Sequence, residues 1–317
     1  AIASAPMNML RAIGVADRLA GKGCPIEGIR VSDGLAPGAL DFVPQDGETA
    51  LGTMFENRDL RTALLDAAGA ASGVDLRMQT RAVAIERDEA GVRATLSDGS
   101  QVRASLLIGA EGRTSPTREA AGLNVARWTY DHVALVTSIG HEHSHENVAY
   151  EIFYPEGPFA ILPLNDDDRG HRSAIVWSVR GNQGPGMQKL GDRGYMAELE
   201  RKMGGFLGAI TWLGPRFAHP LGFHHAATIT AERLALVGDA AHGIHPIAGQ
   251  GVNVGFRDVA ALVEVLVDGK RIGLDVGDRA LLTRYERWRS LDTFMVAAAT
   301  DGLTRLFGIP GKTASAV

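Results

Sequence analysis

With a single cysteine, Cys24, in 317 residues, the chain cannot form an intrachain disulfide, which fits a reducing compartment. No apolar run approaches the ~20 residues of a membrane-spanning helix, and no signal-peptide pattern is visible. Charge of one sign does not accumulate either. Thirty-two basic against 37 acidic residues leave a formal charge of −5, and nothing resembles the basic footprint of a nucleic-acid surface. Internal repeats and low-complexity tracts are missing. So is a GxGxxG fingerprint before Arg58, and the chain opens on Ala1-Ile2-Ala3 without an initiator Met. What remains is an ordinary globular composition, 45% hydrophobic, in a length that suits one large or two ordinary domains.

The most informative stretch is Arg233 to Asp258, RLALVGDAAHGIHPIAGQGVNVGFRD. An apolar run from Leu234 to Val237 ends in Gly238-Asp239, and a Pro/Gly segment from Pro246 to Gly251 leads into a new periodic segment. The pattern predicts a strand, a polar elbow, a glycine loop and a helix. Val252, Phe256, Val259, Val263 and Leu266 recur at helical spacing and predict one buried face, with Asn253 and Arg257 on the other side. Gly249 and Gly251 let backbone approach a ligand closely, and the first N–H groups of a helix have no intrahelical partner and carry partial positive charge. Such a loop accepts anions. Asp239, at the carboxyl end of a strand, is placed where open α/β sheets bind ligands and suits sugar hydroxyls.

The string Gly238, Asp239, Ala240, Ala241, His242, Pro246, Gly249, Gln250, Gly251 and Asn253 resembles the late flavin motif of the flavin-dependent aromatic hydroxylases, GD followed by AAH, Pro and GQGxN. Leu106 to Arg113, with Ser115 and Arg118 beyond, resembles the family's GADG segment with Glu111 in place of Asp. Asn57-Arg58-Asp59-Leu60 resembles the segment whose arginine reaches the flavin. The resemblance implies FAD as cofactor, contacted by Arg58, Gly109, Glu111, Gly112, Gly238, Asp239, Pro246, Gly249, Gln250, Gly251, Val252 and Asn253. In it, Asp239 would hold the ribityl hydroxyls and the loop from Pro246 to Asn253 would lie along the isoalloxazine ring.

Further segments narrow the resemblance to the ubiquinone-biosynthesis hydroxylases: Gly157-Pro158-Phe159-Ala160-Ile161-Leu162-Pro163-Leu164, Val176-Trp177, and Tyr285 to Phe307 with Thr300-Asp301-Gly302-Leu303. It extends from near Pro6 to Phe307. It implies an FAD-dependent monooxygenase that hydroxylates the ring of a polyprenylated phenol through a flavin C4a-hydroperoxide, with molecular oxygen as co-substrate and NAD(P)H as electron donor. The cofactor does the difficult chemistry, and no catalytic side chain is named. It further implies a cytoplasmic protein, peripheral at the inner face of the membrane or held in a ubiquinone-biosynthesis complex. Against this family the sequence is expected to be truncated at both ends, with at least ~30 residues of the first βαβ unit absent.

The expected fold class is mixed α/β. A Rossmann-like FAD-binding domain over 1–127 and 228–317, lacking its first βαβ unit, would carry an inserted, mostly antiparallel substrate domain over 128–227. Strands are expected at Arg81 to Asp88, Gly91 to Leu96 and Gln101 to Ile108, the last two joined by the hairpin signal Asp98-Gly99. In the insertion they are expected at Val133 to Ile139, Val148 to Phe153, Phe159 to Leu164 and Ser173 to Val179. Pro6 to Ala20 and Tyr195 to Phe206 read as helices. Phe153, Phe159, Ile161 and Leu162 are expected to line an apolar substrate pocket. His141, His143 and His145 alternate, but they lie in a polar turn and read as exposed rather than as metal ligands, while His224 and His225 read as lid or surface residues. Other readings are a flavin monooxygenase of a small soluble aromatic, a flavin enzyme of the same fold with different chemistry, and a non-catalytic lipid-binding accessory protein. The lack of a Trp-x-Trp-x-Ile motif weighs against a halogenase.

Overall fold

The computed structural model describes residues 1–243, 249–290 and 292–293. They form two compact units, each with its own core. Ala1–Leu64 and Thr129–Leu221 make the first; Leu65–Trp128 and the described residues from Gly222 onward make the second. Residues 1–64, which the sequence assigns with the rest of 1–127, thus compact with 129–221.

The first unit is built on one broad sheet. Its strands run in the order Val125–His141, Gly170–Arg180, Gly157–Asp167, Val148–Tyr154, Gly28–Asp33, Ala39–Phe42. All neighbours are antiparallel except Val148–Tyr154 and Gly28–Asp33, which are parallel, with Val148 opposite Gly28. All four runs expected in the insertion are strands; three extend past the expected limits at both ends, and Val148–Tyr154 by a single residue. The expected helix near Tyr195 spans Asp192–Met203. Asp192 lies in its first turn, Arg201 and Lys202 in its last, and Gly204 closes it in the left-handed region, all in keeping with the helix dipole and a glycine cap. Pro6 to Ala20 divides into a helix, Ser4–Ala12, and a short 3-10 turn, Ala16–Leu19.

Helix Asp192–Met203 covers one face of that sheet. Phe159, Ile161, Ile152, Ile175, Trp177, Leu135 and Ile139 pack with Tyr195, Leu199 and Met203 into a single core. Phe159 and Trp177 meet edge to face, with ring centroids 5.7 Å apart. This corrects the expected pocket. Phe159 and Ile161 are fully buried beneath the helix, whereas Leu162, one residue along, falls on the opposite face because successive strand side chains alternate. A pocket cannot be lined by both.

The second unit holds two small sheets. Ala82–Asp88, Gly91–Leu96 and Gln101–Ala104 form an antiparallel meander, with Gly99 at φ +83° in the turn. Leu107–Gly109 lies parallel to Leu234–Leu236, which also pairs with Thr230–Ala231. The strand expected over Gln101 to Ile108 is therefore two strands in two sheets, separated at Ser105 and Leu106. Helix Gly251–Arg271 packs on Leu234 and Leu236 through Ala261, Leu262 and Val265, joined by Leu281 and Tyr285.

The buried face of that helix is not the expected one. Val252 and Val263 are each 53% exposed, while Asn253, Val254, Asp258, Ala261, Leu262 and Val265 point inward. The face was misassigned because two polar residues, Asn253 and Asp258, are among its buried members.

Truncating a side chain on the helix-covered face of the large sheet leaves a cavity that its neighbours cannot close. Phe159→Ala should cost about 3–5 kcal/mol, and Leu162→Ala distinctly less. Denaturant unfolding followed by Trp177 fluorescence would measure both, and equal losses would contradict the assignment of faces.

Candidate functional site

Leu107–Gly109 and Leu234–Leu236 are parallel and in register, Leu107 with Leu234 and Gly109 with Leu236. Their carboxyl ends therefore release the two motifs side by side. Glu111, Gly112 and Arg113 follow one strand, Gly238 and Asp239 the other. Gly109 is required by close packing, since an added Cβ would come within 2.7 Å of the Leu236 side chain. Gly238 has φ +58° and forms the turn Gly238–Ala240, facing Gly255 of the long helix, where a Cβ would lie 3.3 Å from the Gly238 Cα.

Side chains from several elements hold this turn through its backbone. Tyr285 Oη donates to the Leu236 carbonyl at 2.8 Å, and His224 Nε2 lies 2.7 Å from the Asp239 carbonyl. Arg118, fully buried, donates to the carbonyls of Ala240 and Arg113, both at 2.8 Å. The Gly238 N–H donates to Asp258 Oδ2 at 2.9 Å. Asp258 is completely buried; Arg289 Nε donates to its Oδ1 at 2.7 Å, and His242 Nε2 lies 2.7 Å from Oδ2. A buried carboxylate needs such partners, because its desolvation otherwise outweighs any gain.

Every sequence-predicted contact except Pro246 can now be placed. The Asp239 carboxylate is half-exposed and meets Arg113 Nε at 3.3 Å, so the two motifs touch through their charged side chains. Glu111, itself exposed, folds onto the loop that follows it: Ser115 Oγ donates to it at 2.9 Å and the Thr117 N–H at 3.3 Å, with the Thr117 hydroxyl as a third donor. Burial works against its charge, but these hydrogen bonds outweigh burial and hold its carboxyl below the usual range. Gln250 is the N-cap residue of the long helix and Gly251 its first residue; Val252 points outward and Asn253 inward, its Nδ2 3.4 Å from the Gly249 carbonyl. Pro246 lies outside the described residues. Arg58 belongs to the first unit, in the opening turn of helix Asn57–Ala70, with its side chain 81% exposed and Glu56 Oε2 at 3.9 Å.

The residues present fit a flavin dinucleotide. Added Cβ atoms at Gly112, Gly249 and Gly251 would meet nothing within 4 Å, so backbone is open to a ligand at these three places. The long helix has no acidic residue in its first turn to compete with an anion. Arg113, Arg118, His224, Asp258 and Arg289 are the contributors that motif reading did not assign. The signal for Asp258 is visible in retrospect as a lone charge among Val254, Ala261, Leu262 and Val265. His224, expected at the surface, is buried and has no such signal. His141 and His145 are likewise buried rather than exposed, hydrogen-bonded to Ser173 Oγ at 2.9 Å and to the Leu164 carbonyl at 3.0 Å.

Two outcomes follow from this geometry. Asp258→Ala leaves the Gly238 N–H without its partner and takes one of two carboxylates from the buried Arg289, which keeps Asp292, and should cost about 1–3 kcal/mol in unfolding free energy; a loss under about 1 kcal/mol would show that the turn is held otherwise. Desolvation lowers the pKa of His224 below the ordinary 6.5, so the unfolded chain binds protons at this residue that the folded chain excludes. Its contribution is complete above pH 6.5 and is lost as pH falls. The stability difference between wild type and His224→Gln should therefore shrink between pH 7.5 and 5.5, and a constant difference would contradict a buried neutral imidazole.

Comparison with known proteins agrees with the cofactor that this geometry fits. The model of the FAD binding domain family matches residues 2–296. The chain is 46% identical over 307 residues to ubiquinone hydroxylase UbiL of Rhodospirillum rubrum, covering 97% of this chain and 71% of that protein. It is 33% identical over 302 residues to 3-demethoxyubiquinol 3-hydroxylase of Escherichia coli, covering 95% and 76%. With the human mitochondrial ubiquinone biosynthesis monooxygenase COQ6 it shares 34% identity over 250 residues, 68% of this chain and 53% of that one. Among solved structures, Pseudomonas aeruginosa PqsL superposes with a TM-score of 0.80 at 20% identity over 97% of this chain and 85% of that one, and is alike in fold. The chain therefore belongs to the FAD binding domain family, among its FAD-dependent monooxygenases.

Proposed function

We propose that this chain hydroxylates the aromatic ring of a polyprenylated phenol in ubiquinone biosynthesis, using FAD and molecular oxygen. The reading is supported above all by identity along nearly the whole chain with proteins named as ubiquinone-pathway hydroxylases, together with a turn at Gly238–Ala240 whose backbone is fixed from several sides. Asp239 would take the ribityl hydroxyls, and Arg113 beside it would orient that carboxylate. Gly249, Gln250, Gly251, Val252 and Asn253 would present backbone N–H groups to the ring system, and Gly109, Glu111 and Gly112 would hold the opposite side. Glu111, held by Ser115 and Thr117, would also shape the loop on that side. Arg58 and Pro246 complete the proposed contacts.

When bound, the flavin supplies activated oxygen to the ring; the protein positions the phenol and excludes water. NAD(P)H is the proposed electron donor. Among the described residues no helix is long and apolar enough to cross a membrane, so access to a polyprenyl chain is proposed to come from peripheral contact with the inner membrane face or from a biosynthetic complex.

Removal of the Asp239 carboxylate should leave ribityl hydroxyls unsatisfied and weaken FAD by about 1–3 kcal/mol, roughly 5- to 150-fold in Kd. Fluorescence titration of the apoprotein with FAD reads this directly. Undiminished affinity in Asp239→Ala would remove Asp239 from the site. Conversion of a polyprenylated phenol to its hydroxylated product, with oxygen consumed and NAD(P)H oxidised in equal amounts, tests the reaction itself.

A further inference from the structure

The large sheet of the first unit has a second face, turned away from helix Asp192–Met203. Five residues stand in register across five neighbouring strands on it: Val31, Glu151, Ala160, Val176 and Val136. Four are apolar. Glu151, flanked by Val31 and Ala160, is a carboxylate set into an otherwise hydrocarbon row. The row beside it, Leu162, Ala174 and Ser138, is mostly small and half-buried.

No hydrogen bond or ion pair from the described residues reaches the Glu151 side chain, yet it keeps partial access to solvent. On its own strand and the two flanking ones, the only other ionisable group on this face within two register positions is Asp33, exposed at the strand end. Arg30 projects to the other face and pairs with Asp41 at 2.7 Å. A carboxylate so placed is costly to the fold unless something outside the chain uses it. A phenol hydroxyl on an apolar molecule is such a partner: one polar group to satisfy the carboxylate, and a hydrophobic remainder to cover the valines and alanines.

We propose that Glu151 is the catalytic proton acceptor for the phenol hydroxyl of the aromatic substrate, a role that rests on the hydroxylase reading above. The phenol O–H bond breaks, the proton moves to a carboxylate oxygen of Glu151, and the electron pair stays on the phenol oxygen, from which it enriches the ring carbons ortho and para to it. After oxygen transfer the proton returns to that oxygen as the ring regains aromaticity. The hydrogen of the hydroxylated carbon leaves as a proton, and the carboxylate ends as it began. Desolvation raises Glu151 to about 7. A phenol titrates near 10, so the gap to be bridged is much smaller than for an ordinary carboxylate near 4.3, and a base poised close to the working pH is effective.

Glu151→Gln keeps shape and removes the proton acceptor. In the flavin-loaded protein, with a phenol carrying a single ortho isoprenoid unit as probe, the variant should keep its flavin and its rate of flavin reduction. Single-turnover hydroxylation should fall about 10²- to 10⁴-fold, and the acid limb of kcat/KM near pH 7 should disappear. The variant's loss should shrink for a more acidic phenol, which depends less on a base. The variant's melting temperature relative to wild type should rise between pH 4.5 and about 7, because the folded chain holds the Glu151 proton that the unfolded chain releases; this also certifies the fold. Hydroxylation within a few-fold of wild type, or an unchanged acid limb, overturns the role of Glu151. A wild type that ignores the prenylphenol but hydroxylates unsubstituted phenol at a Glu151-dependent rate overturns the substrate reading and leaves the proton acceptor standing. Binding of neither phenol overturns both.

Discussion

The second unit is organised around one buried carboxylate. Asp258 carries its charge inside the protein because Arg289, His242 and the Gly238 N–H meet it there. Through that contact the long helix and the end of strand Leu234–Leu236 become a single rigid piece, and the turn carrying Asp239 has no freedom of its own. A strand end leaves backbone groups that no ladder can satisfy. Here they are satisfied by side chains: Tyr285 at Leu236, Asp258 at Gly238, His224 at Asp239 and Arg118 at Ala240. The result is preorganisation, in which the atoms that would contact a cofactor are fixed before it arrives.

The first unit separates packing from chemistry by the two faces of its sheet. One face, with Phe159, Ile161 and Trp177, is a closed aromatic and aliphatic core under a helix. The other is smoother, made of valine, alanine and serine, and carries Glu151. Alternation along a strand makes this division inexpensive, since GPFAILPL contributes to both surfaces within a few residues.

Much of the site was legible in the sequence because its glycines and Asp239 are local features with fixed spacing. Gly238, Asp239, Gly249 and Gly251 fall at a strand end and a helix start as expected, and the Asp98-Gly99 hairpin is present. What was not legible depends on contacts distant in sequence. Apolar periodicity could not reveal that Asn253 and Asp258 are buried while Val252 and Val263 face outward, because the energy that buries Asp258 comes from Arg289, thirty-one residues away. Nor could it divide Gln101 to Ile108, where the second half is claimed by Leu234–Leu236. Phe159, Ile161 and Leu162 could be recognised as buried-type residues, but which face each one takes was fixed by the helix lying across the sheet.

The parallel pairing of Gly28–Asp33 with Val148–Tyr154 has a bearing on the order of assembly. Residue 28 finds its partner only at residue 148, with the whole of Leu65–Trp128 lying between them in sequence. During synthesis the early strand must therefore wait, its hydrogen-bonding edges unpaired, until the distant one has emerged. Non-local pairing of this kind is slow and leaves strand edges open to other chains while it lasts. The hairpin partner Ala39–Phe42, adjacent in sequence, can occupy one of those edges early. That short strand thus acts as a temporary guard for the nascent chain, a service it can render before either core exists.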